Sequence, residues 1–136
     1  MEHSWILILA MIGHILCVYC DRLILCTPGG TFHYSDIKDN EKMAKLFTAM
    51  PESFPLRSLV LGTLAMFLQF FGYLALGIWM RPYSALWANI MIVGAAMIYT
   101  FGLAHHVQGC AAEWIYIKSD HTEEGRRLTS DFFGKT

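Results

Sequence analysis

"SLVLGTLAMFLQFFGYLALGIWM", residues 58 to 80, holds 23 residues and no charge. At about 1.5 Å per residue such a helix crosses a hydrocarbon core of about 30 Å. Its apolar side chains fall on every face, whereas a helix at the surface of a water-soluble domain needs only one apolar stripe. A second charge-free run, "YSALWANIMIVGAAMIYTFGLA" from Tyr83 to Ala104, follows almost at once. The two read as transmembrane helices over about 58–80 and 83–104. The link "RPY", Arg81 to Tyr83, is so short that they must form an antiparallel hairpin. Pro82 suits the first turn of the outgoing helix, where its missing N–H costs nothing. Trp79, Tyr83 and Trp87 gather at this end as an aromatic belt would.

Upstream lies "SWILILAMIGHILCVYCDRLILC", apolar from Trp5 to Cys20 and then interrupted by Asp21 and Arg22. A secretory signal peptide would want Lys or Arg before its apolar core and a small-residue cleavage site after it. Glu2 and His3 stand there instead, and "LILC" resumes the apolar run. The preferred reading is a first transmembrane helix over about 5–26, with Asp21 and Arg22 at its lip.

The whole chain supports that class. It has 136 residues, 55% hydrophobic and 15% charged, with a mean hydropathy of +0.42. A soluble domain averages about 25% charged residues. The expected fold is all-α: one integral membrane helical bundle over 1–136, with three transmembrane helices, a short amphipathic cytoplasmic helix and a cytoplasmic tail from about 118. Basic residues set the expected topology. Arg22, Lys38, Lys42, Lys45 and Arg57 surround the first loop, and Lys118, Arg126, Arg127 and Lys135 follow the third helix. Only Arg81 lies in the other loop, which puts the N-terminus outside and the C-terminus in the cytoplasm of a cell-membrane protein. Small residues, Gly13, Gly72, Gly77, Gly94 and Gly102 among them, offer close-packing positions between helices.

In the first loop, "TPGGTFHYSD" (27–36) is turn-forming through Pro28, Gly29 and Gly30. A helix over about 39–50 follows, capped by Asp39 or Asn40, with Met43, Leu46, Phe47 and Met50 on one face. Two readings of that face stand together: it lies on the inner membrane interface, or it packs on the bundle.

Polar residues inside or at the ends of such helices are functional hypotheses by default. His14, Cys17 and Asp21 share one face of the first helix, and His106, Cys110 and Glu113 share one face of the third if it continues past Ala104. Asp21 lies about 24 Å below Trp5, and His105 about 33 Å below Tyr83, so the groups could meet near the cytoplasmic side. The candidate site is Asp21, His105, His106, Arg57, His14 and Glu113. Imidazole and carboxylate equip a proton relay or, with thiolate, a metal site. Against this, His105 and His106 would simply mark the helix exit, with Asp21 compensated by Arg22. "CVYC", Cys17 to Cys20, lies mid-run, where a thiolate is costly, and reads as packing. Gln69 and Asn89 read as interhelical hydrogen-bonding amides. No metal or cofactor is implied by a recognisable motif, and a net charge of −1 with both signs mixed in the cytoplasmic segments gives no support to a nucleic-acid partner.

Taken together, "CDRLILCTPGG", "MPESFPLRSLVLGTL", "FFGYLALGIWM" and "GLAHH" resemble the N-terminal half of an uncharacterised family of bacterial polytopic membrane proteins. That resemblance marks Asp21, Arg57 and His105, carries no known activity, and implies six-helix bundles. Three helices would then need a missing C-terminal half or a homo-oligomer, and "RRLTSDFF" (126–133) could begin a further helix. A weaker likeness links the chain to small multidrug transporters, which have four spans and a mid-membrane acid. The sequence leaves open a transporter-like module handling protons or a small solute, a membrane-embedded metal-dependent enzyme, and a non-catalytic membrane subunit; the lipid bilayer is the partner common to all three.

Overall fold

The computed structural model describes residues 4–134 and is 83% helical. Glu2, His3 and Lys135, which entered the reading of topology, lie outside the described residues. Helix α1 spans Ser4–Leu25, α2 Asn40–Phe47, α3 Ser53–Met80, α4 Ala85–Lys118 and α5 Glu123–Gly134. Between α1 and α2 lie a hairpin of two-residue strands, Cys26–Thr27 and Gly30–Thr31, and a 3₁₀ turn over Tyr34–Lys38. Three of the helices, α1, α3 and α4, are long and apolar enough to cross a membrane.

These three form a layer with α3 in the middle. Helix α3 packs along both α1 and α4, which make almost no direct contact with each other. Small residues bring the backbones together. A Cβ on Gly13 would lie 2.7 Å from the Ala65 carbonyl, and one on Gly72 would overlap Ala10. Gly77 gives the same room to Ile92 of α4. Gly94 departs from expectation: among the described residues nothing lies within 4 Å of where its Cβ would stand. Gln69 donates to the Gly13 carbonyl at 3.2 Å, tying α3 to α1 as expected of an amide in an apolar span. Asn89 does otherwise. It faces outward and accepts from Arg81, across the turn that joins α3 to α4.

Helix α4 does not stop at His105 and His106. It runs on to Lys118, 34 residues or about 51 Å in all against 28 residues in α3, so its last two turns or so project past the start of α3. On that projection a small second core assembles. Phe32, Ile37, Met43, Leu46, Phe47 and Met50 bury against Tyr116 and Ile117 of α4, with Phe133 of α5 packed alongside. The apolar face of α2 is therefore consumed by protein. That settles the two readings of it: Met43 and Phe47 are each 0% exposed, so no apolar stripe remains to lie on a membrane.

Local chemistry sets the module. The Asp39 carboxylate caps α2 by accepting from Lys42 N at 3.1 Å. Pro28 and Gly29 form the hairpin turn, and a Cβ on Gly29 would overlap the α2 backbone at Lys45. Tyr116 donates to Asn40 Oδ1 at 2.9 Å, joining α4 to the start of α2. Helix α5 answers the expectation for "RRLTSDFF". Only 12 residues long, it packs back on α4, where Thr129 donates to the Ala112 carbonyl.

Candidate functional site

The stretch of α4 around His105 and His106, the 3₁₀ turn and the last turns of α1 line an open cavity of about 300 Å3. Asp21 and Cys17 come from α1, Tyr34 from the 3₁₀ turn, Met66 from α3, and His105 and His106 from α4. Three of the six candidate residues thus share one cavity. The other three do not line it. His14 lines a separate groove between α1 and α3 with Gln69 and Tyr73. Arg57 is exposed near the start of α3, and Glu113 is buried two turns beyond His106.

The two histidines do different things. His106 turns into the α3–α4 contact, where its Nε2 donates to the Ser58 carbonyl at 2.9 Å. A carbonyl only accepts, so the proton sits on Nε2. Gly62, one turn along α3 from Ser58, makes room: a Cβ there would overlap the imidazole. Ser58 in turn donates to the Cys20 carbonyl of α1 at 3.0 Å. One polar strap therefore crosses all three helices at the same depth. His105 faces outward, and its Nε2 lies 3.3 Å from the Tyr34 hydroxyl. The rings of Tyr34 and His105 are 5.7 Å apart, and Phe133 meets the Tyr34 ring edge-on.

Asp21 has no such partner. Among the described residues it makes no ion pair with Arg22, His105 or His106 within 4.0 Å, so the compensated Asp21–Arg22 pair does not form. Neighbouring helix positions point about 100° apart, which carries Arg22 away from the carboxylate it follows. Nor do His14, Asp21, His105, His106 and Glu113 converge. No three His, Cys, Asp or Glu side chains among the described residues could hold a metal ion. His14 lies two turns up α1 in the groove with Gln69, and Glu113 two turns beyond His106 on α4, so neither reaches the cavity. All four cysteines are free.

Glu113 belongs to the module beyond the apolar part of α4. It is 3% exposed, and its Oε2 has no hydrogen-bond partner among the described residues. Burial holds its carboxyl well above the usual carboxylate range, toward the neutral form. The Tyr34 hydroxyl is raised as well, first by burial and then by the nearby Glu113, Cys110 and Asp21.

The sequence reading missed Tyr34 and Ser58. Tyr34 sits in a turn-forming segment with no periodicity, and Ser58 looks like any small hydroxyl at a helix start. The one usable signal was Gly62, four residues from Ser58 and apt for admitting a ring.

Residues 2–135, nearly the whole chain and all three apolar helices, match a family described as Family of unknown function (DUF6796). The chain belongs to that family. The DUF6796 description assigns no activity, so the chemistry rests on the geometry above. No curated protein matches the chain, and no solved structure does.

Proposed function

We propose that this DUF6796 protein is a multi-pass cell-membrane protein whose polar-end cavity handles protons or a small solute in a transporter-like manner. The observation that carries this reading is an unpaired carboxylate, Asp21, in a cavity shared with His105 and Tyr34. An ionisable group within a membrane-spanning helix is by default a functional hypothesis, and Asp21 stands in the last turns of α1. Asp21 supplies a carboxylate, His105 an imidazole, and Tyr34 the hydroxyl beside it.

The topology we propose places the N-terminus outside, with the hairpin, α2, α5 and the end of α4 in the cytoplasm. Every described lysine and arginine except Arg81 belongs to that polar end or to the helix ends beside it, which supports the orientation. Cys26, exposed on the hairpin, reports it. In a variant whose other cysteines are serine, a membrane-impermeant maleimide should label Cys26 only after the cells are opened.

Because α1 and α4 leave the layer open on one side, a second copy or a further helical half is the proposed partner that closes it. A metal-dependent enzyme is the reading the geometry favours least, since the required ligands do not converge. The function is tested in liposomes that hold a pH-sensitive dye. Wild-type protein should carry a proton flux under an imposed potential, and Asp21→Asn should lower it to the level of protein-free liposomes. An Asp21→Asn variant that conducts as wild type does would remove Asp21 from the pathway.

A further inference from the structure

The ionisable groups that line the cavity are Cys17, Asp21, Tyr34, His105 and His106. No lysine or arginine is among them, so the cavity holds no fixed positive charge to hold an anion. Asp21 is its sole carboxylate, and a divalent cation needs several oxygen ligands. A transition metal is disfavoured too, because no three ligand side chains converge among the described residues. The single carboxylate, Asp21, points instead to a monovalent cation. Ile24, Leu25 and Met66 give the same cavity an apolar wall, which inorganic ions do not exploit and an organic cation does. Tyr34 adds an aromatic ring, the partner that substituted ammonium groups prefer. At about 300 Å3 the space stands at the small end of ligand pockets.

We propose that this cavity binds a substituted ammonium group, with Asp21 as its counter-charge and Tyr34, Ile24, Leu25 and Met66 around its alkyl substituents. The inference rests on the reading of the cavity as the working site and names the ligand class for it. Depth leaves two sources for that chemistry. Asp21 lies about 26 Å along α1 from Ser4, and His105 about 30 Å along α4 from Ala85, near the boundary of a hydrocarbon core of about 30 Å. The cavity lies where α1 and α4 fail to meet, so the ammonium of a lipid headgroup and that of a free solute could both enter.

The test is equilibrium dialysis of radiolabelled choline against the full chain in an uncharged maltoside detergent. Wild type should bind choline saturably at one site. Asp21→Asn should weaken binding by at least about tenfold, as loss of a close charge partner does. Tyr34→Leu should weaken it by about fivefold, and Tyr34→Phe, which keeps the ring, should change it little. Asn89→Ala, at the opposite end of α4, should bind as wild type does. Should Asp21→Asn fail to fold, the contrast between the two Tyr34 variants still decides the matter.

Competition separates the sources. Displacement by tetramethylammonium but not by dihexanoylphosphatidylcholine identifies a free solute, and displacement by the lipid at lower concentration identifies a headgroup. Three results overturn the proposal: no saturable choline binding by folded wild type, undiminished binding by Asp21→Asn, or displacement by sodium as effective as by tetramethylammonium. A proton flux that needs Asp21, seen without choline binding, would sink the ammonium site alone and leave the transport reading standing.

Discussion

A missing methyl group at Gly62 lets the His106 ring reach the Ser58 carbonyl. Gly62→Ala is therefore expected to destabilise the protein by about 1–3 kcal/mol, the usual range for overpacking a tight contact. The same change in a His106→Ala background should cost much less. A double-mutant cycle in detergent would show this as a coupling between the two sites, and strict additivity would argue against the contact.

Two buried carboxyls at the same scale are displaced from their ordinary values in opposite directions. Asp36 is 2% exposed, and hydrogen bonds from Lys42 at 2.6 Å and from the His33 backbone hold it below its ordinary value of 3.8. The stability it adds is present above pH 3.8 and is lost as pH falls through the lower folded value. Glu113, raised above 4.5, does the reverse: stability declines as pH rises from 4.5 toward its folded value. Melting curves across pH should show that the decline disappears in Glu113→Gln while the acid-side loss disappears in Asp36→Asn.

At the scale of elements, α2 and the end of α4 depend on each other. An eight-residue helix is too short to persist by itself in water. It persists here because Phe47 meets the edge of Phe32 at 5.1 Å and of Tyr116 at 5.8 Å. Phe47→Ala should cost about 3–5 kcal/mol and open residues 40–50 to protease before the apolar layer is lost. Cleavage no faster than in wild type would mean that α2 is held by something other than this core. The periodicity of Met43, Leu46, Phe47 and Met50 was legible in the sequence. Their target was not, because an amphipathic stripe has the same form whether lipid or protein covers it. Helix α4 was similarly half legible. Hydropathy ends near Ala104, but backbone hydrogen bonding continues to Lys118 because no Pro or Gly-rich break intervenes and the module gives the extension a surface to bury.

The molecule as a whole exposes large apolar side chains that water would not tolerate in such number. Ile98 is 70% exposed, Phe101 69% and Val60 64%. In a bilayer these face acyl chains at no cost. Val93 is 58% exposed and about 12 Å along α4, which in the proposed membrane topology puts it near the middle of the hydrocarbon layer. Val93→Lys should disfavour insertion of that span by about 2.5–3.5 kcal/mol, read as a loss of membrane-integrated protein in a glycosylation-tag assay. Equal insertion of the variant would place Val93 against a polar lumen or a partner helix.

The sequence by itself determined the three long apolar helices, the tight turn at Arg81–Tyr83 and the capped amphipathic helix. Each follows from local rules: charge-free length, Pro and Gly breaks, and a 3.6-residue period that needs no knowledge of neighbours. It also put Asp21, His105 and His106 at one end. Only the tertiary structure decided which of them meet. With α3 between α1 and α4, His106 is taken up by the Ser58 carbonyl, and His14 and Glu113 fall away from the cavity. Asp21 is left without an ion-pair partner among the described residues, in a cavity shared with a tyrosine that no sequence period places. Side-chain chemistry can be read along a chain, but the pairing of groups on separate helices depends on how those helices are ordered and rotated. Here the positions of Gly13, Gly62, Gly72 and Gly77 set the close approaches, through contacts far apart in sequence.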